Sequence, residues 1–176
     1  MGSDKMNLEI AGEPLWLRQT RVLREAGAER VLLVRRPGQA VPDGIAVGRD
    51  RYMDSGPLAG LHAALLGAAD PWVAVLAVDM PGIDAAWFRW LGSFCRPGTG
   101  AVVRQADGFE PLAAIYPRKA LPEITARLQR RDLSLQGLAG SLAQAGRLHV
   151  LAVPANSAAR TANLNTPLEI VRWAVV

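Results

Sequence analysis

A single cysteine, Cys95, rules out an intramolecular disulfide and with it the stapled architecture of small secreted domains. The chain therefore reads as one made for a reducing, cytoplasmic setting. No apolar run approaches the roughly 20 residues needed to cross a bilayer, and the N-terminus shows no signal-peptide pattern. The two histidines, His62 and His149, lack partners at metal-ligand spacing, so both are expected to be structural. Repeats, low-complexity tracts and interdomain linkers are missing too, and residues 37–44 read as a loop. Charge of one sign is never concentrated. The net +4 comes from arginines scattered along the chain, which gives no nucleic-acid footprint but suits a protein that handles phosphorylated anions.

What is present is enough for one domain with a sizeable core: 176 residues, half of them hydrophobic. Leu15, Val22, Leu23 and Ala26 share a face of a predicted helix over 14–26, ended by Gly27. Short apolar runs at 31–34 and 45–47 predict buried strands. Pro57 opens a helix with the stripe Leu58, Leu61, Leu65 and Leu66. Residues 72–78 form the clearest strand of the chain. Asp84 is placed to cap a helix over 85–94, with Cys95 and the aromatic Trp87 and Trp90 packing around it. Strands at 101–104 and 112–116 are expected to be joined by an Asp107-Gly108 turn. Helices follow at 121–129 and 135–145, a strand at 149–153, and a last helix opened by Thr166-Pro167. This alternation predicts an α/β three-layer sandwich, Rossmann-like, with a mostly parallel sheet and one antiparallel excursion.

Two places invite chemistry. Asp79 leaves the end of the 72–78 strand as a lone carboxylate, in Val78-Asp79-Met80-Pro81. At the carboxyl edge of an α/β sheet such an acid can hold a hard cation such as Mg²⁺; it can equally be a turn or cap carboxylate. Gly56-Pro57-Leu58-Ala59-Gly60 is a turn opening a helix. Gly56 and Gly60 would let backbone approach a ligand, or serve as a turn and a close helix contact.

Six elements in order resemble the molybdenum cofactor guanylyltransferase family. Met1-Gly2-Ser3-Asp4-Lys5 resembles the end of its L-A-G-G-x-S-x-R-M-G-x-D-K signature, and Gly12-Glu13-Pro14-Leu15 its G-x-P-L element. Gly56 to Gly60 resembles G-P-L-A-G, Val78 to Pro81 the C-D-x-P metal strand, and Glu110 to Tyr116 the P-L-x-A-L-Y hairpin strand. Asn163-Leu164-Asn165-Thr166-Pro167 resembles N-x-N-T-P. The resemblance implies transfer of GMP from GTP to molybdopterin with release of pyrophosphate, and Mg²⁺ as cofactor. It implies that Asp79 holds the metal, Lys5 meets the β- or γ-phosphate, Asp50 pairs with guanine, and Gly56 and Gly60 line the nucleotide; a solvated terminal lysine is the other reading of Lys5, and a surface loop residue that of Asp50. Asn165 would complete the metal or phosphate site, with a helix cap as its other reading. Residues 131–134 would meet the pterin phosphate or simply start a helix. GTP and molybdopterin are the implied partners, with molybdoenzymes or their chaperones open as protein partners and neither nucleic acid nor membrane.

The chain also departs from that family. The L-A-G-G loop and the first strand precede the point where this sequence starts, so the resemblance implies a single nucleotidyltransferase domain over 1–176, truncated at its N-terminus. The family's first strand lies between the strands corresponding to 31–34 and 73–78. Without it those two would stand about 10 Å apart with unpaired edges. They would then either close up or leave a gap. Arg35 stands near the family's guanine-contacting asparagine, which keeps a cytidylyltransferase or sugar-phosphate nucleotidyltransferase open. The absent phosphate loop keeps a non-catalytic partner-binding module open as well.

Overall fold

Both faces of the main sheet are apolar, and the side chains that alternate along its central strands decide which helices cover which face. The computed structural model describes residues 8–35, 42–49, 52 and 54–153. A short hairpin, β1 (Glu9–Ile10) and β2 (Glu13–Pro14), leads into α1 (Leu15–Glu25). There follow β3 (Leu32–Arg35), β4 (Ala46–Arg49), α2 (Gly56–Gly67), β5 (Trp72–Leu76), α3 (Ala85–Phe94), β6 (Gly100–Gln105) and β7 (Gly108–Phe109). The described part ends with β8 (Ala113–Pro117), a 3₁₀ turn, α4 (Leu121–Gln129), α5 (Leu135–Gln144) and β9 (Leu148–Ala152).

In the main sheet β8 lies between β5 and β6, antiparallel to both, and β9 runs parallel to β6. Ala113 and Ile115 of β8 and Ala101 and Val103 of β6 pack against Val22 of α1 and against Trp87, Phe88 and Leu91 of α3. Their alternates Ala114, Tyr116 and Val102 pack against Leu58, Leu61 and Leu65 of α2, Ile124 and Leu128 of α4, and Leu138 and Leu142 of α5. Strands buried on both faces read as continuous apolar runs, which is how they announce themselves in the sequence. The expected three-layer sandwich is therefore present. Its ladders are more mixed than mostly parallel, since β5 pairs antiparallel with β8.

β3 and β4 form a separate parallel pair, with Val34 opposite Gly48. Among the described residues no ladder joins β3 to β5, so the two strands have not closed up. A cavity of about 560 Å³ separates them at their N-terminal ends, lined by Leu32, Trp72, Val73, Phe88 and neighbours. Helix α2 spans the division. A Cβ at its Gly60 would lie 3.3 Å from Val34, and one at Gly67 would lie 3.9 Å from Leu32, so α2 runs antiparallel to β3.

Three local expectations change. The turn after β6 is Ala106-Asp107, with Gly108 already pairing with Gln105 at φ +139°. Its returning strand is the short β7, while β8 pairs with both β6 and β5. The stripe on α2 stops at Leu65, and Leu66 is 41% exposed. Strand β5 ends at Leu76 rather than Val78, after which the chain turns. Asp84 caps α3 as expected, its Oδ1 accepting from the Trp87 N–H at 2.9 Å. The expected last helix lies outside the described residues.

Candidate functional site

The last rung of β5 is the Ala77 N–H donating to the Leu112 carbonyl at 2.8 Å. Beyond it residues 77–81 turn sharply, carrying half-buried Asp79 past the carboxyl end of the strand while Met80 is fully buried. Two consecutive residues of α1 hold this turn. Gln19 donates from Nε2 to the carbonyls of Ala77, Val78 and Met80. Arg18 donates from Nε and Nη2 to the carbonyl of Pro81. On its other side Val78 packs with Leu8, Ile10 and Leu15, so the entry hairpin rests on the same segment.

A second carboxylate, that of Glu110, comes under the charge of Asp79. Glu110 follows β7, its N–H donating to Val103 and its Oε2 accepting from Gln105 at 3.2 Å. Burial pushes its pKa up, and the charges of Asp107 and Asp79 push the same way; the Leu112 N–H and Gln105 oppose them. Glu110 is the residue the sequence reading passed over, because within the P-L-x-A-L-Y element it looks like a strand end. Its link to Asp79 is made by the β5–β8 pairing and has no sequence signal.

Helix α2 supplies the facing part. Since it runs antiparallel to β3, its N-terminus lies at the carboxyl ends of β3 and β4, the edge at which α/β sheets bind ligands. Asp54 at φ +54° and Gly56 at φ +58° bend the chain into the helix, and only glycine adopts that conformation freely. Nothing lies within 4 Å of the position a Gly56 Cβ would take, so its backbone face is open. Gly60 is different, since its missing side chain is what lets α2 settle on Val34. Tyr52 meets buried His62 edge-to-face at 5.1 Å, which packs that histidine inside the fold and ties the preceding loop to α2. His149 is exposed on β9.

Of the residues expected from the sequence, Asp79, Gly56 and Gly60 are described, and they belong to the strand end and helix start just set out. Lys5, Asp50 and Asn165 lie outside the described residues, as does Asn163. Ser134 caps α5, its Oγ accepting from the Gly137 N–H, which is the helix-start reading of residues 131–134. The cavity between the sheets touches neither Asp79 nor the start of α2. Among the described residues no three His, Cys, Asp or Glu side chains gather as a closed metal cage.

The model of the MobA-like NTP transferase domain family matches residues 1–153. The chain belongs to that family. A probable molybdenum cofactor guanylyltransferase of Opitutus terrae is 50% identical over 171 residues, covering 95% of this chain and 85% of the relative. Two solved structures share the fold. One is molybdopterin-guanine dinucleotide biosynthesis protein A of Archaeoglobus fulgidus, with TM-score 0.72 at 18% identity, covering 98% of this chain and 90% of that one. The other is 2-C-methyl-D-erythritol 4-phosphate cytidylyltransferase of Thermus thermophilus, with TM-score 0.73 at 18% identity, covering 98% and 93%. The family makes this MobA-like chain a nucleotidyltransferase. No helix among its described residues is long and apolar enough to cross a membrane.

Proposed function

We propose that the chain transfers GMP from GTP to the terminal phosphate of molybdopterin in the molybdenum cofactor, releasing pyrophosphate. The observation that carries this is Asp79, a half-buried carboxylate on a braced turn at the carboxyl end of β5, in a chain half identical to a relative named for that activity. In the reaction a phosphate oxygen of the acceptor bonds to the α-phosphorus of GTP. The bond from that phosphorus to the α–β bridging oxygen breaks, and the electron pair leaves with pyrophosphate. The acceptor is already an anion, so no strong general base is required, and positioning with charge neutralisation carries the catalysis.

Asp79 is the residue that would hold Mg²⁺, which when bound supplies positive charge between the nucleotide phosphates. The open backbone of Gly56 at the start of α2 offers N–H donors to the nucleotide, and Gly60 sets the distance of α2 from β3. Lys5, Asp50 and Asn165 are assigned by motif to the phosphates, the guanine edge, and the metal or phosphate shell. The reading places the whole chain in one nucleotidyltransferase domain in the cytoplasm, with molybdoenzymes or their chaperones receiving the product.

Calorimetric titration with GTP and then CTP, in Mg²⁺, tests it. Saturable binding of GTP that Asp79→Ala removes, without loss of fold, is the expected result. Preference for CTP would move the chain to cytidylyl transfer. A folded chain that binds neither would point to a partner-binding module.

A further inference from the structure

The side chain of Gln19 does something its position on a helix does not require. It is 4% exposed, on the face of α1 that also carries Leu15 and Val22. Its Nε2 lies 2.8 Å from the Met80 carbonyl, 3.3 Å from that of Ala77 and 3.4 Å from that of Val78. These carbonyls flank Asp79 on both sides. Arg18 extends the grip to the Pro81 carbonyl at 3.1 and 3.3 Å.

A primary amide has two N–H bonds, so three carbonyls converging on it means that the dipoles of the turn are gathered on one donor. Without that donor, three partly negative oxygens would crowd together away from water, and the peptide planes on either side of Asp79 would rotate apart. The amide oxygen has no protein donor. A buried polar atom left so is costly, and a methionine would fill the same volume without it. Packing alone therefore does not account for a glutamine here.

We propose that Gln19 is a positioning residue for Asp79, holding the turn in the one conformation that aims the carboxylate at a cation. The inference rests on the reading of Asp79 as the cation ligand. The probe is Mn²⁺ in the presence of GTP, followed by the loss of its free EPR signal on binding. Gln19→Met removes the donor and keeps length and burial. The Mn²⁺ concentration for half-saturation is expected to rise about tenfold, the scale on which outer partners of a metal ligand act. In an Asp79→Asn background the same change is expected to add less than about twofold, because the two residues act as a unit. Gln19→His, whose Nε2–H reaches a similar distance, is expected to restore most of the affinity. Gln19→Asn, which withdraws the donor by one methylene, is the second variant should the methionine form not fold, and the same weakening is expected of it.

Thermal midpoints measured alongside separate a structural role, which lowers them without moving Mn²⁺ affinity. If Asp79→Asn weakens Mn²⁺ binding and Gln19→Met does not, the inference on Gln19 is overturned while the Asp79 reading stands. Equal loss in both backgrounds overturns it too. If the parent chain shows no Mn²⁺ binding, or Asp79→Asn leaves it intact, the cation reading falls and takes the inference with it.

Discussion

The indole N–H of Trp87 meets the carbonyl of Ala113 at 2.9 Å, with both residues buried. Helix α3 is thereby tied to β8, the strand between β5 and β6. Trp87→Phe leaves that carbonyl without its donor and opens space beside Trp90. A loss of about 1–3 kcal/mol is expected in urea unfolding. An unchanged midpoint would mean that the carbonyl finds another donor.

The two glycines that matter most for packing should respond in opposite ways. A Cβ at Gly100 would stand 2.0 Å from the Ile115 carbonyl oxygen, a backbone atom that cannot swing away. Gly100→Ala is expected to cost about 3 kcal/mol or more, beyond ordinary overpacking. At Gly60 the neighbour is a Val34 methyl at 3.3 Å, and alanine gains about 1 kcal/mol of helix propensity. Gly60→Ala is thus expected to fall within about 1 kcal/mol of the parent and to leave GTP binding unaltered. A selective loss of GTP binding would place the nucleotide against α2 at this point.

Arg127 is 12% exposed, pairs with Glu123 of its own helix and with Asp132, and joins α4 to α5 through the Gly137 carbonyl and the Ser141 hydroxyl. Arg127→Met keeps the stem and leaves half-buried Glu123 with the Ser141 hydroxyl but no cation. A fall of about 2–3 kcal/mol in unfolding free energy is expected, shrinking little with added salt because the guanidinium is shielded.

Glu110 supplies the pH dependence. Its folded pKa is raised by burial first and then by Asp107 and Asp79, so the folded state holds the proton more tightly than the unfolded chain does. The stabilisation this gives is complete below the ordinary carboxylate pKa and is lost as pH rises through the raised value. Glu110→Gln is therefore expected to unfold at higher urea than the parent at neutral pH. The difference should disappear below about pH 4. The opposite order at neutral pH would show that the ionised carboxylate is stabilised by a partner.

Much of this could be read from the chain itself. The 72–78 run, the Asp84 cap and the Gly56 turn rest on local chemistry, and each appears within two residues of where the sequence puts it. What was not legible depends on pairings far apart in sequence. Glu110 comes under the charge of Asp79 because β8 pairs with β5. Gln19, with no regular spacing to mark it, reads as a polar residue on a helical face until the 77–81 turn is set against it. The Asp107-Gly108 signal was real but one residue off, because register across β6 and β7 decides which residues form the turn.

Helix α2 touches β3 and β4 on one side of the division between the sheets and packs with Leu128 of α4 and its neighbours on the other. Among the described residues no ladder runs from β3 to β5, so cohesion between the two sheets rests on side chains rather than on a continuous backbone network. Side-chain contacts can be broken a few at a time, whereas a ladder opens as a whole. The β3–β4 pair is therefore expected to open before the main sheet, its amides exchanging with solvent well before those of β6 and β8. A nucleotide lying against both the start of α2 and Asp79 would bridge that division, so its binding would register as slower exchange along the whole of β3 and β4, beyond the strand ends it meets.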